Sequence, residues 1–191
     1  MSKKQETTQE TDEHGLVIHQ YLSTVLVVVP PSGFGETTMR YARSALFNVH
    51  VGTRMVSSQE GAVLHGELQD EFEVDGSVSA ERMEPYSGLL LCGGTGASWL
   101  GASEDVVRLV REASEQKKMI AAWGEAVEVL ARAGVVRRRR VTGARSAAAA
   151  LKAAGGRYTG TQVEVDGLLV TALDDAAGFR FGKALVQVVG I

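Results

Sequence analysis

The chain has 191 residues, enough to bury one substantial core. Its 45% apolar and 23% charged content is that of an ordinary globular protein, and a net charge of -3 offers no global case for nucleic acid or a membrane surface as partner. A lone cysteine, Cys92, excludes an internal disulfide framework and points to a reducing, cytoplasmic setting.

Residues 1–20 open with "MSKKQETTQETDEHG", polar and charged with no signal-peptide centre, and are expected to form a mobile tail; residues 21–191 are expected to form a single domain. "TVLVVVP" (24–30) is apolar on both faces, the pattern of a strand buried in a parallel sheet, and too short to span a bilayer. "PSGFGE" turns the chain, and 36–47 spaces Met39, Ala42, Leu46 and Phe47 as a helix does. Residues 49–58 alternate as a second strand, and 59–86 are mixed, with short β pieces around "VLHGEL" and "EFEVDG". "GLLLC" (88–92) is a third strand, ended by "GGTG". Residues 103–116 form a helix with Ser103 as N-cap and Glu104 and Asp105 in its first turn. "KMIAAW" (118–123) is the next buried strand, followed by a helix over 125–133. "RRRRVTG" gives a short strand, and "ARSAAAALKAAGG" a short helix closed by glycine. Asp-Gly within 161–173 signals a hairpin, and 177–190 form a closing helix. Strands alternating with helices make an α/β fold with a mostly parallel central sheet and helices on both faces. Ligands in such folds sit beyond the carboxyl ends of the strands, where the loops 30–36, 92–98 and 123–125 should gather.

The order and spacing of "PSGFGE", "GLLLCGGTGASWL", "KKMIAAWGEAVEVLARAGVVRRRRVTG" and "LKAAGGRYTGTQVEVDGLLVTALDDAAGFRFGKALVQ" resemble the ThiJ/PfpI superfamily, which shares the class I glutamine amidotransferase fold. The resemblance runs from about residue 24 to 190. It implies a three-layer flavodoxin-like sandwich and a homodimer; it does not fix a reaction, because the superfamily includes glyoxalase-type, hydratase, peptidase-type and chaperone-like activities.

The resemblance also implies a cysteine nucleophile at the turn between strand and helix, a glutamate on the first helix and, in some members, a histidine after the "VTG" strand. Here these positions read Gly124, Thr38 and Ala144, while the glycine pair after the third strand matches as Gly93 and Gly94. The physics agrees: glycine supplies no nucleophile, and the adjacent Glu125 would put its own carboxylate near amides that otherwise serve an anion or an oxyanion. The expected protein is therefore catalytically degenerate, with a binding or structural role and a possible small ligand in a pocket near Gly35, Thr38, Gly93, Gly94 and Trp123. The alternative is an enzyme of altered chemistry on a small carbonyl or amide, using Glu125 with Glu36 or Cys92.

Each candidate also has a plain structural reading. Cys92 reads rather as a small buried side chain, and Glu125 rather as a first-turn acid that stabilises its helix. Glu36 carries the same two readings as Glu125. Trp99 and Trp123 either line a small-molecule site or fill space under the helix. His14, His19, His50 and His65 lack metal-ligand spacing, and "GGTG" lacks a Lys or Ser/Thr at phosphate-loop spacing, so no metal or cofactor is expected. The run Arg137–Arg140 is read as a solvated turn entering a strand, or as a match for acids of a partner subunit, rather than as a nucleic-acid site.

Overall fold

The computed structural model describes residues 21–189; the tail expected over 1–20 lies outside the described residues. The elements in chain order are β1 (Ser23–Val28), α1 (Glu36–Phe47), β2 (Val51–Ser57), β3 (Val63–His65), β4 (Glu71–Glu73), β5 (Gly76–Ser77), β6 (Gly88–Leu91), α2 (Ser98–Ala102) and α3 (Glu104–Glu115). There follow β7 (Met119–Trp123), α4 (Val127–Ala133), β8 (Arg140–Val141), α5 (Ala148–Ala153), β9 (Arg157–Tyr158), β10 (Val163–Asp166), β11 (Leu169–Ala172) and α6 (Gly178–Val188). Seven strands form the main sheet in the order β10-β11-β7-β6-β1-β2-β5. All its pairings are parallel except the β10–β11 hairpin.

Period-two alternation divides the core between the two faces of this sheet. Val25, Val27 and Leu90 turn to the side covered by α1 and α6, with Met39, Leu46 and Phe181. Leu26, Val28, Leu89 and Leu91 turn to the other side, under α2 to α5, with Val106, Leu109, Val110 and Leu130. Both faces of the central strands are thus dry, which is why they read as unbroken apolar runs. Helix α3 begins as its residues dictate: the Ser103 hydroxyl accepts a hydrogen bond from the Val106 N–H at 3.4 Å, with Glu104 and Asp105 in the first turn.

The departures are local. The helix expected from 125 opens instead as a 3₁₀ turn over Gly124–Ala126, and 3₁₀ turns also precede α2, α5 and α6. The arginine-rich strand β8 stands outside the main sheet and pairs in parallel with β9. Arg140 in this strand and Arg139 just before it meet acids of the chain itself: Arg139 Nε lies 3.2 Å from Asp166 Oδ1, and Arg140 Nη2 lies 2.7 Å from Glu164 Oε1.

Candidate functional site

The carboxyl ends of β1, β6 and β7 stand side by side, so their three loops meet. The Gly35 N–H donates to the Gly93 carbonyl at 2.8 Å, the Gly96 N–H to the Gly33 carbonyl at 3.0 Å, and the Ala144 N–H to the Gly124 carbonyl at 3.0 Å. The turn after β7 takes φ +61 at Gly124, a left-handed conformation that side-chain-bearing residues rarely adopt. Space does not demand glycine there. A Cβ on Gly124 would meet nothing nearer than the Gly93 Cα and the Gly94 nitrogen, both at 3.9 Å. The Gly94 N–H, whose nitrogen is one of those two atoms, has no hydrogen-bond partner among the described residues.

Gly93 and Gly94 are glycine for a different reason. A Cβ on Gly93 would lie 2.2 Å from the Trp123 carbonyl oxygen, and one on Gly94 2.3 Å from the Gly33 carbonyl oxygen. The loops approach too closely for any side chain.

Thr38 on α1 is tied to a distant loop. Thr38 is fully buried; its N–H donates to Asp175 Oδ1 at 2.8 Å and its hydroxyl to the Asp175 carbonyl at 2.9 Å. Trp123 packs beside it, edge-on to Phe181 at 5.8 Å between ring centroids, with its indole N–H buried and unpartnered among the described residues. A Cβ on Gly35 would lie 2.6 Å from Asp175 Oδ1 and 3.2 Å from Trp123 Nε1, so the carboxylate and the indole occupy that space. The pocket expected around Gly35, Thr38 and Trp123 is therefore filled from within. Trp99 is half-buried against the core beneath α2 to α5.

The candidate acids serve different elements. Glu36 is buried, and its Oε1 accepts from the Leu68 N–H at 2.6 Å and the Asp70 N–H at 3.2 Å, which clasps the 66–70 loop. Glu125 is exposed, and its carboxylate makes no hydrogen bond among the described residues, so it does not occupy the amides of its own turn. A carboxylate the sequence reading missed takes a loop amide instead: Glu67 Oε1 accepts from the Thr95 N–H at 2.7 Å. Cys92 is fully buried; burial pushes its thiol far above the ordinary range, and the charge of Arg43 offsets only part of this. Such a thiol stays protonated and inert.

What is open lies on the other side of the turn. A groove of about 710 Å³ runs between α2, α4 and α5. Ala97, Val129, Ala150 and Ala154 supply apolar wall, and Thr95, Ser98, Glu125 and Ser146 supply polar groups. Its volume is in the range of small-molecule sites.

Comparison with known proteins bears on this arrangement directly. The DJ-1/PfpI family profile matches residues 23–188. The chain belongs to the DJ-1/PfpI family. An uncharacterized protein of Methanocaldococcus jannaschii is 26% identical over 168 residues, 86% of this chain and 82% of that one. The fold is that of the ThiJ/PfpI domain protein of Brachyspira murdochii (TM-score 0.83, 20% identity, 87% of this chain and 95% of that one). It is equally that of Drosophila melanogaster DJ-1beta (TM-score 0.78, 23% identity, 88% and 91%). Within this DJ-1/PfpI frame, the structure brings Gly124 and Ala144 into direct hydrogen-bond contact. It sets Thr38 one helical turn from Gly35, which is bonded to Gly93. Asp175 and Glu67 escaped the sequence reading because each acts on a loop far away in the chain. "LDDAA" carries a local sign only of Asp174, whose carboxylate accepts from the Ala176 N–H.

Proposed function

We propose that this DJ-1/PfpI chain is a non-catalytic binding protein that holds a small ligand in the groove beside its elbow. The observation that carries the reading is Gly124: the left-handed backbone is kept and the space beyond it is open, yet no nucleophile stands there. Thr38 and Ala144, which by the resemblance stand for the family's glutamate and histidine, bring no titratable group to the elbow. Against the alternative of an enzyme using Glu125, Cys92 is sealed in the core and Glu36 gives its Oε1 to the 66–70 loop, with its buried Oε2 unpartnered among the described residues. A homodimer belongs to the same proposal; the exposed aromatic pair Tyr41 and Phe179, 6.1 Å between centroids on α1 and α6, supports it. A cytoplasmic setting rests on the free, buried Cys92.

The test is a fragment screen against ¹⁵N-labelled protein. The expected result is a set of saturable amide shifts confined to Thr95, Ser98, Glu125, Ser146 and Ala150. Shifts scattered over the surface, or none at all, would overturn the reading.

A further inference from the structure

From Val129 to Val163 the chain carries eight cations (Arg132, Arg137–Arg140, Arg145, Lys152 and Arg157) and not one acid, although the whole chain is net negative. The structure neutralises three of them: Arg132 with Glu104, Arg139 with Asp166, and Arg140 with Glu164. Five are exposed with no acidic partner among the described residues: Arg145, next to Ala144 at the elbow, and a group of four, Arg137, Arg138, Lys152 and Arg157.

These four come together at one corner of the fold. The Arg138 N–H donates to the Gly155 carbonyl at 2.8 Å, and the Arg157 N–H to the Arg139 carbonyl at 2.8 Å. A Cβ on Gly155 would lie 3.3 Å from the Arg137 Cγ, and Lys152 sits 5.8 Å from the ring centre of Tyr158, the neighbour of Arg157. Arg157 stands directly opposite Arg140 across β8 and β9; Glu164 balances Arg140 but leaves Arg157 without an acid. Arg138 takes φ +63, as the turn bonded to the Gly155 carbonyl requires, which sets its side chain apart from the neighbouring arginines of the chain.

We propose that this corner is a docking surface for an acidic polypeptide segment of another protein. Guanidinium forks match carboxylates in bidentate geometry, and three of the four cations at this corner are arginines. A nucleic acid fits less well. Tyr158, the aromatic residue of this segment, has its ring beside Lys152 and its hydroxyl donating to the Gly143 carbonyl, so no stacking platform is free. A long polyanion would also run off the corner onto a surface whose balance is acidic.

The test is fluorescence anisotropy with a fluorescein-labelled octa-glutamate peptide at low salt, set beside a labelled single-stranded 12-mer DNA. Binding should be saturable and should weaken with salt. Arg138→Gln with Arg157→Gln should lower affinity about tenfold, by the scale of exposed ion pairs lost in number. Arg137→Gln with Lys152→Gln, a second double variant, should do the same, while Arg180→Gln on α6 should change nothing; circular dichroism confirms that each folds. No saturable peptide binding, binding unchanged in both double variants, or tighter binding of the DNA would overturn the proposal. So would salt-sensitive self-association that these variants abolish and the peptide does not compete, because the corner would then serve a second copy of the chain.

Discussion

Replacing Gly124 with alanine separates two reasons for a glycine. At φ +61 the new Cβ pays the left-handed backbone penalty, about 1–2 kcal/mol. It meets nothing closer than 3.9 Å, so no steric term is added. For a chain of this size that is a fall in Tm of roughly 2–8 °C. Gly93→Ala is the contrast: its Cβ would stand 2.2 Å from the Trp123 carbonyl oxygen, and backbone on both sides of a loop junction has to move. That change should cost about 3 kcal/mol or more. Urea unfolding of the two variants, read by tryptophan fluorescence, gives both numbers. Gly124→Cys extends the test, because the new thiol should react with a disulfide reagent under native conditions while Cys92 does not. Equal destabilisation by Gly124→Ala and Gly93→Ala, or an introduced thiol that reacts as slowly as Cys92, would refute the claim that the elbow is intact and open.

Other expectations follow from the same contacts. Ser103→Ala removes the cap of α3 and should lower stability by about 1 kcal/mol, measured by urea unfolding. Glu36→Ala releases the Leu68 and Asp70 amides, so hydrogen exchange should accelerate at 66–70 first, with about 1–3 kcal/mol of stability lost. Alkaline pH should destabilise the fold. Burial, then the hydrogen bond to Glu81, pushes the Tyr86 hydroxyl up to about 12, and burial also raises the Cys92 thiol well above its ordinary range. Folded-state values above the unfolded ones mean stability that is complete below about pH 9 and declines as pH rises towards about 12, measurable as a falling urea midpoint that Tyr86→Phe makes shallower.

The central strands were legible because both faces of the sheet are buried, which leaves an apolar run with no polar alternation to confuse it. Helix α3 was legible because Ser103, Glu104 and Asp105 announce its start. The two-residue strands β5, β8 and β9 were harder, since a pair of residues carries no period and depends on a partner from elsewhere in the chain. At the site, Gly124 could be placed from the order of blocks around it. The clasp of Glu36 on residues 68 and 70, the lock of Asp175 on Thr38, and the Glu67 carboxylate on Thr95 could not, because each joins loops 28 to 137 residues apart. The groove escaped for a similar reason: alanines on α4 and α5 read as helix formers, and only their packing shows the space they leave.

The most direct test of a non-catalytic elbow is consumption of methylglyoxal, a small reactive carbonyl, by the native protein and by Glu125→Gln. The account predicts no turnover above the uncatalysed rate for either protein. Saturable, multiple turnover by the native chain that Glu125→Gln abolishes would contradict it and make Glu125 a catalytic residue.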